Sequence, residues 1–345
     1  MKAFVWVVGI LIASVLPAQS NDYFRPTPNM TTYVVIMAGA SVDENYSPKI
    51  RNWALALHDT LRGEYGYRPE QIILLMGEKP DPEEPRISGP CRTEAIQARL
   101  DGLKQRLKPG DRIFFLFLGH GTHDGQTARF VVHGPDLTGE AFAAMLDSLP
   151  DQDLVVIHTT SAGFPFCKAL SGPGRVILCA TRSSAEIYNT VYPGYFIDAF
   201  AGRAGDRDKN RRVSILEAFW YAGKGVQKWY EEQNRIPTEH AVLDDSGDGR
   251  FSSDPQPSEG DGRLAQIAYL DLLPGSLALR LPPGVDARRF NQMAARVREL
   301  ERSVILLRDA KPDMAADVYQ AELEKRLIEL ARASKKLRLL TDRMD

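Results

Sequence analysis

The sequence predicts an α/β protein with a mostly parallel sheet flanked by helices, followed by a C-terminal antiparallel helical hairpin. Two observations predict the sheet: several short apolar runs lack polar–apolar alternation, and amphipathic stretches separate them. Strands that alternate with helices favour parallel pairing through crossover connections. A third observation, the change of pattern after Leu273-Pro-Gly, predicts the hairpin.

Five apolar runs are rich in β-branched and aliphatic residues, as expected of strands covered on both faces. The predicted strands are Tyr33–Ala38, Gln71–Met76, Arg112–Leu118, Asp153–Ile157 and Arg175–Ala180. Helices are predicted at about 49–65, 93–107, 139–149, 165–171, 193–203 and 213–233 from apolar residues at helical spacing. A sixth run, Ala265–Leu270, is interpreted as a late strand.

The hairpin prediction depends on residues that follow the breaker cluster Leu281-Pro-Pro-Gly284. Apolar residues then recur at steps of three and four in two stretches, with Lys311-Pro312 between them. They are Phe290, Met293, Val297, Leu300, Val304 and Leu307, then Leu323, Leu327, Leu330 and Leu337. This pattern predicts two coiled-coil-like helices joined by a short turn. We expect residues 285–342 to pack on the main domain or to associate with another chain.

The N-terminus has the form of a secretory signal. A basic Met1-Lys2 start precedes the apolar run Ala3–Leu16, and small residues precede a cleavage site after Ser20. We therefore expect an exported protein, periplasmic or secreted, with no transmembrane span after cleavage; an uncleaved anchor is the alternative. The expected organisation is a signal at 1–20, an α/β domain at 21–280 and the hairpin at 281–345. A net charge of −2 gives no indication of nucleic-acid binding.

Three cysteines, Cys91, Cys167 and Cys179, are present. Their pairing does not follow from the sequence, and the favoured interpretation of Cys167 and Cys179 is that they are small buried hydrophobic residues. Because the sequence contains no Cys-x-x-Cys, a zinc site made of cysteines is not predicted.

Polar residues follow two of the predicted strands. The third strand ends in Leu118-Gly-His-Gly121, and the fourth in the segment His158-Thr-Thr-Ser-Ala-Gly163. Adjacent parallel strands end at one edge, so His120 could face a hydroxyl there. Glycine at position 121 lets a backbone N–H approach a substrate oxygen, as an oxyanion hole requires. This arrangement predicts acyl-transfer chemistry or its remnant.

The ordered set of these motifs resembles the legumain and caspase superfamily of cysteine peptidases, and is closest in pattern to the legumain type. Four segments carry the resemblance, which spans about residues 31–200: residues 52–78, 111–121, 153–164 and 175–186. It implies a caspase-like α/β/α fold with His120 as catalytic histidine and Gly121 at the oxyanion hole. Ser161 matches the serine of the family's Cys-x-Ser-Gly pattern, which puts Thr159 in the position of the cysteine.

A threonine in that position changes the expected function, because its hydroxyl is a far weaker nucleophile than a thiol. We expect a peptidase-fold protein that binds a peptide or protein segment between His120 and Thr159 without cysteine chemistry. One alternative is a hydrolase that uses Thr159 or Ser161 with His120, or Thr160 if the alignment shifts. Another is a scaffolding protein that acts through the hairpin. Whether the chain is an enzyme stays open.

Two acidic segments are candidate calcium loops; no cofactor is otherwise expected. In the first, Asp206, Asp208, Asn210, Arg212 (through its carbonyl), Ser214 and Glu217 occupy the ligand positions of a twelve-residue loop. Arg211 replaces the usual glycine there, and the alternative is an Asp-rich turn with a helix cap. In the second, weaker candidate, Asp244, Ser246 and Asp248 match only the first half, and a turn is favoured.

Overall fold

The computed structural model describes residues 23–25, 30–150, 152–210, 212–257, 260–272, 284 and 286–341. The predicted signal at 1–20 and the domain boundary at 281 lie outside the described residues. Within the described part of the chain, every helix is too short or too polar to cross a membrane.

The centre of the protein is a mixed six-stranded sheet. The strands, in chain order, are β1 (Thr32–Ala38), β2 (Ile72–Met76), β3 (Arg112–Leu118), β4 (Gly121–His123), β5 (Ala128–Phe130), β6 (Leu137–Thr138), β7 (Asp153–His158), β8 (Arg175–Cys179) and β9 (Val242–Asp244). The main sheet has the order β2-β1-β3-β7-β8-β9, in which β9 alone is antiparallel to its neighbour. The other three strands form a separate antiparallel sheet in the order β4-β5-β6. The five predicted strands are confirmed, and the mostly parallel α/β architecture with them.

Helices cover both faces of this sheet. They are α1 (Ser47–Gly63), α2 (Thr93–Lys104), α3 (Gly139–Asp147), α4 (Phe164–Leu170), α5 (Tyr192–Asp198) and α6 (Ile215–Glu232), followed by α7 (Ala287–Asp309) and α8 (Ala316–Thr341). Alternate residues of each strand enter two separate cores: Val34 packs with α1, α5 and α6, whereas Val35 packs with α2, α3 and α4. Burial on both faces explains why these strands show no polar alternation.

The predicted strand at Ala265–Leu270 is wrong. Residues 261–267 form turns, and Tyr269 makes only one isolated bridge, with Ser214. The physical reason is the buried Asp245 carboxylate, which accepts hydrogen bonds from the backbone N–H groups of Gly262, Leu264 and Ala265 at 2.7–2.8 Å. Those N–H groups are therefore not available to a neighbouring strand.

The C-terminal helices pair with each other and dock on the α/β body. Val297 and Leu300 of α7 pack against Ala333 of α8. On its other side, α7 contributes to a buried ionic cluster: the Arg212 guanidinium donates two hydrogen bonds to Asp271, at 2.8 and 3.1 Å, and Arg298 of α7 also contacts that carboxylate. The cluster joins the hairpin to the body, which is the first of the two arrangements that the sequence left open.

The charges in this cluster depend on one another. Burial opposes ionisation of Asp271, but the charges of Arg212 and Arg298 outweigh it and hold the pKa of this carboxyl below its usual value. Arg212 also lies 3.4 Å from the Tyr269 ring centroid and pairs with Glu301 of α7 at 3.4 Å.

We predict that Asp271→Asn lowers the free energy of unfolding by about 3–5 kcal/mol, because it removes the charge that two buried guanidinium groups share and leaves Arg212 only its longer pair with Glu301. Urea denaturation followed by circular dichroism measures this. The matched control is Glu299→Gln, whose exposed pair with Arg296 should be worth less than about 1 kcal/mol. Equal effects of the two variants would contradict the structural role of the cluster.

Candidate functional site

The two predicted polar segments do leave the sheet at the same edge. Strands β3 and β7 are parallel neighbours, and their last paired residues are Phe117 and His158. The chains that follow are in close contact: a Cβ at position 121 would overlap the Ser161 carbonyl oxygen and Thr160 Oγ1. Only glycine therefore fits at Gly121, which explains that residue without requiring an oxyanion hole.

His120 pairs with a hydroxyl that the sequence analysis did not identify. Its Nε2 lies 2.8 Å from Ser41 Oγ, and Ser41 Oγ also accepts a hydrogen bond from the Asp43 N–H at 3.2 Å. Ser41 follows β1, the other neighbour of β3, so it reaches the same edge of the sheet. Its position after an apolar strand was the signal that could have identified it.

The surroundings of His120 favour its uncharged form, which can accept a hydrogen bond. Partial burial against the Tyr46 ring, whose centroid is 5.1 Å away, lowers the pKa of this imidazole, while the nearby Asp43 carboxylate partly raises it. The net effect is a histidine that stays neutral at neutral pH.

The three hydroxyls of the predicted nucleophile segment are buried and engaged with the backbone. Thr159 Oγ1 donates to the Phe117 carbonyl at 2.6 Å, and Thr160 Oγ1 donates to the Ser161 carbonyl at 3.2 Å. Ser161 Oγ makes long contacts of 3.4 Å with the carbonyl and the N–H of Gly121. Each side chain is at most 2 % exposed, so this segment forms the floor of the site.

Two loops form the rim of the site next to His120. The loop after β1 and the loop before α5 are joined by a 2.8 Å hydrogen bond from Asn189 Nδ2 to Asp43 Oδ2. Three large apolar side chains project from these loops into solvent: Val42 is 101 % exposed, Ile187 65 % and Tyr188 63 %. Because the Asn189–Asp43 hydrogen bond brings the two loops together, these side chains offer apolar surface that a partner could cover. We call these three residues the apolar rim.

The first calcium candidate brings its acidic side chains together. One carboxylate oxygen each of Asp206, Asp208 and Glu217 lie within 4.8 Å of one another. Asp208 is solvent-exposed, yet desolvation by neighbouring groups and then the Glu217 charge raise its pKa to about 6. The loop brings three carboxylates close together, and a bound cation would reduce the repulsion among them.

The remaining members of this loop contribute less. Asn210 donates to Asp208 and accepts from the Arg212 N–H at 2.8 Å. Ser214 and Glu217 form a capping box at the start of α6, in which Glu217 Oε2 accepts from Ser214 Oγ at 2.8 Å. Both readings of the segment, acidic loop and helix cap, are therefore present in one structure.

The second candidate has the form of a turn. Both oxygens of the buried Asp244 carboxylate already accept hydrogen bonds, including those from the N–H groups of Gly247 and Gly249 at 2.9 and 3.2 Å. Ser246 Oγ donates to the same carboxylate, and Asp248 accepts from Arg250 N. This arrangement favours the turn that was the leading interpretation.

A groove of about 1900 Å³ lies between α6, the hairpin and the loops around residues 237–241, 253–257 and 260–267. Asp208 and Glu217 line it, whereas His120, Ser41 and the Thr159–Ser161 segment do not. The groove and the strand-edge site are thus different places on the molecule.

Comparison with known proteins gives no functional assignment. No protein-family model and no curated protein matches this chain. Among the solved structures that match is the crystal structure of protein GSU0716 from Geobacter sulfurreducens, at 10% sequence identity and a TM-score of 0.38, covering 66% of this chain and 96% of that one. At that level of similarity the match supports no inference about function.

We predict that the His120 imidazole titrates below the ordinary histidine pKa of about 6.5, because its charged form is poorly solvated. Asp43→Asn should lower the midpoint further, since it removes a negative charge that favours the imidazolium. Proton NMR of the ring signals measures both, and His120→Gln assigns the signal. Glu44→Gln, a neighbouring change at an exposed residue, is the control; a midpoint that rises in Asp43→Asn would contradict the assignment.

Proposed function

We propose that this chain is an exported peptidase-fold protein that binds a peptide or protein segment at the edge of the sheet beside His120, without cysteine-peptidase catalysis. The observation that carries the proposal is the apolar rim: Val42, Ile187 and Tyr188 project from two loops that a hydrogen bond holds together next to His120. A partner that covers such side chains removes apolar surface from water, which favours binding.

The chemistry of the floor supports the non-catalytic part of the proposal. A nucleophile needs a base within hydrogen-bond reach, and Thr159 Oγ1 instead donates to the Phe117 carbonyl from a fully buried position. Thr159 therefore stabilises the end of β7. The legumain-like resemblance supplies the class of ligand, a peptide, and the leader Met1–Ser20 supplies the expectation of export.

We predict that the wild-type chain retains members of a diverse library of quenched fluorescent peptides without cleaving them. Tyr188→Ala should weaken retention of the selected peptides about tenfold, because an aromatic anchor at an interface typically contributes more than about 1 kcal/mol. Fluorescence anisotropy with a selected peptide measures the affinity. Ile236→Ala is the matched control, since Ile236 is 86 % exposed but belongs to a different loop.

The same library separates binding from catalysis. Cleavage that disappears in both His120→Ala and Thr159→Ala would overturn the proposal in favour of a threonine hydrolase. If the wild-type chain neither cleaves nor retains any peptide, the proposed binding function is wrong as well. Equal weakening by Tyr188→Ala and Ile236→Ala would show that the rim does not form the site.

A second candidate function is a serine hydrolase in which Ser41, rather than Thr159 or Ser161, is the nucleophile. The 2.8 Å contact between Ser41 Oγ and the neutral His120 Nε2 favours it, because this is the geometry in which a histidine takes the hydroxyl proton. A fluorophosphonate probe distinguishes this candidate: labelling lost in Ser41→Ala and His120→Ala, but kept in Ser161→Ala, would establish it.

We also propose calcium as a ligand of the Asp206–Glu217 loop. Calcium should raise the thermal midpoint of unfolding, because it offsets repulsion among Asp206, Asp208 and Glu217. The stabilisation should shrink as the pH falls through about 6, where Asp208 takes up a proton and ceases to be a ligand. Differential scanning fluorimetry at a series of pH values measures this; Asp208→Asn should abolish the effect and Asp248→Asn should not.

Association through residues 285–342 is a separate proposal. Four apolar side chains of α8 are more than 40 % exposed: Val318, Leu327, Ile328 and Leu339. Sedimentation over a range of concentrations would detect self-association, and a chain that stays monomeric would restrict α8 to another partner or to none.

A further inference from the structure

Three residues with metal-binding side chains meet beneath the strand-edge site, in the core on the α4 side of the sheet. His158 ends β7, Cys179 ends β8, and the two are paired in the parallel register. Cys167 projects from α4 into the same core. One ligand atom from each lies within 4.8 Å of the others, and all three side chains are 0 % exposed.

Of the two ring nitrogens of His158, Nδ1 has a hydrogen-bond partner. It lies 3.1 Å from Thr160 Oγ1, and the single hydroxyl proton of Thr160 can go either to that nitrogen or to the Ser161 carbonyl, 3.2 Å away. The ring is buried among aromatic side chains, which favours its neutral form. With Thr160 donating to the Ser161 carbonyl, the ring proton is on Nδ1 and Nε2 carries a free lone pair.

That lone pair is left without a partner. His158 Nε2 is fully buried and makes no hydrogen bond to any described residue. A buried acceptor without a partner is unfavourable, by about 1–3 kcal/mol, and native proteins rarely keep one. A histidine that ligates a metal shows the observed pattern: one nitrogen is free and the other donates to a second polar group.

We propose that His158 Nε2, Cys167 Sγ and Cys179 Sγ bind a zinc ion. Thiolate sulfur and imidazole nitrogen are the ligands that zinc prefers in structural sites. A tetrahedral zinc site separates its ligand atoms by roughly 3.5–3.8 Å, so the 4.8 Å limit requires only a small contraction of this cluster. The three side chains supply three of the four ligands of a tetrahedral zinc ion.

Charge balance selects a divalent ion over a monovalent one. Two thiolates neutralise Zn²⁺, whereas Cu⁺ with the same ligands would leave a net negative charge in an apolar core, which is costly. Binding converts two thiols to thiolates and releases two protons. Because each thiol must lose a proton before its sulfur binds zinc, the affinity should increase with pH.

The ion would connect three elements just below Thr159–Ser161. The ring of His158 is already held between Phe117 and Phe166, with centroids 4.8 and 4.6 Å away, so the ligand is oriented before metal arrives. A bound ion would therefore hold α4 and the ends of β7 and β8 in fixed positions relative to one another.

The test uses the full chain, purified without chelators and refolded under reducing conditions with zinc or with Co²⁺. We expect about one zinc ion per chain by elemental analysis, and thiolate-to-metal charge-transfer absorption in the cobalt form. Cys167→Ser and Cys179→Ser should each lose both signals. Cys91→Ser is the matched control, because Cys91 is equally buried but is not part of the cluster.

The measurement on the wild-type chain tests the proposal even if a variant does not fold. Substoichiometric metal and no charge-transfer band in the folded wild type would overturn the proposal and leave the cluster as apolar packing. A Cys167–Cys179 disulfide in protein purified without reductant, with no metal uptake after reduction, would overturn it as well. Equal loss of metal from Cys91→Ser would assign the ion to another place.

Discussion

The parallel pairing of β3 with β7 is the constraint on which the other features depend. The register that aligns Phe117 with His158 fixes where each strand ends. Beyond that point the chains carry Gly119–Gly121 on one side and Thr159–Gly163 on the other, so close that position 121 has no room for a side chain. Below it, the same register directs His158 into the core beside Cys179 on β8. A shift of one residue would exchange the two faces.

The sheet was predictable because its strands are covered on both faces and contain long apolar runs. Two parts of the β structure were not predictable: the short strand β9 and the sheet of β4, β5 and β6, because strands of two or three residues show no periodic pattern. The turns at 261–267 were not predictable either, because the buried Asp245 carboxylate determines their backbone conformation. At such places tertiary hydrogen bonds, rather than local propensity, determine the backbone conformation.

The candidate site was predictable in part. The sequence predicted that His120, Gly121 and the Thr159–Ser161 segment would share one edge, and they do. It did not predict that Ser41 would be the partner of His120, since that contact requires knowing that β1 lies beside β3. The group of His158, Cys167 and Cys179 was missed for a similar reason: its members are spread over three elements with no spacing that indicates a metal site.

The hydrogen bond between Asn189 and Asp43 has a consequence for how the site is entered. It is made by side chains near solvent, and such bonds contribute only about 1 kcal/mol net. On the order of a tenth of the molecules would then have this bond broken at any moment. Deeper in the same loops, the Tyr46 hydroxyl donates to the Thr190 carbonyl at 3.1 Å from a buried position, which limits the opening to the outer part of the rim. The outer part of the rim can therefore separate while its inner part stays joined.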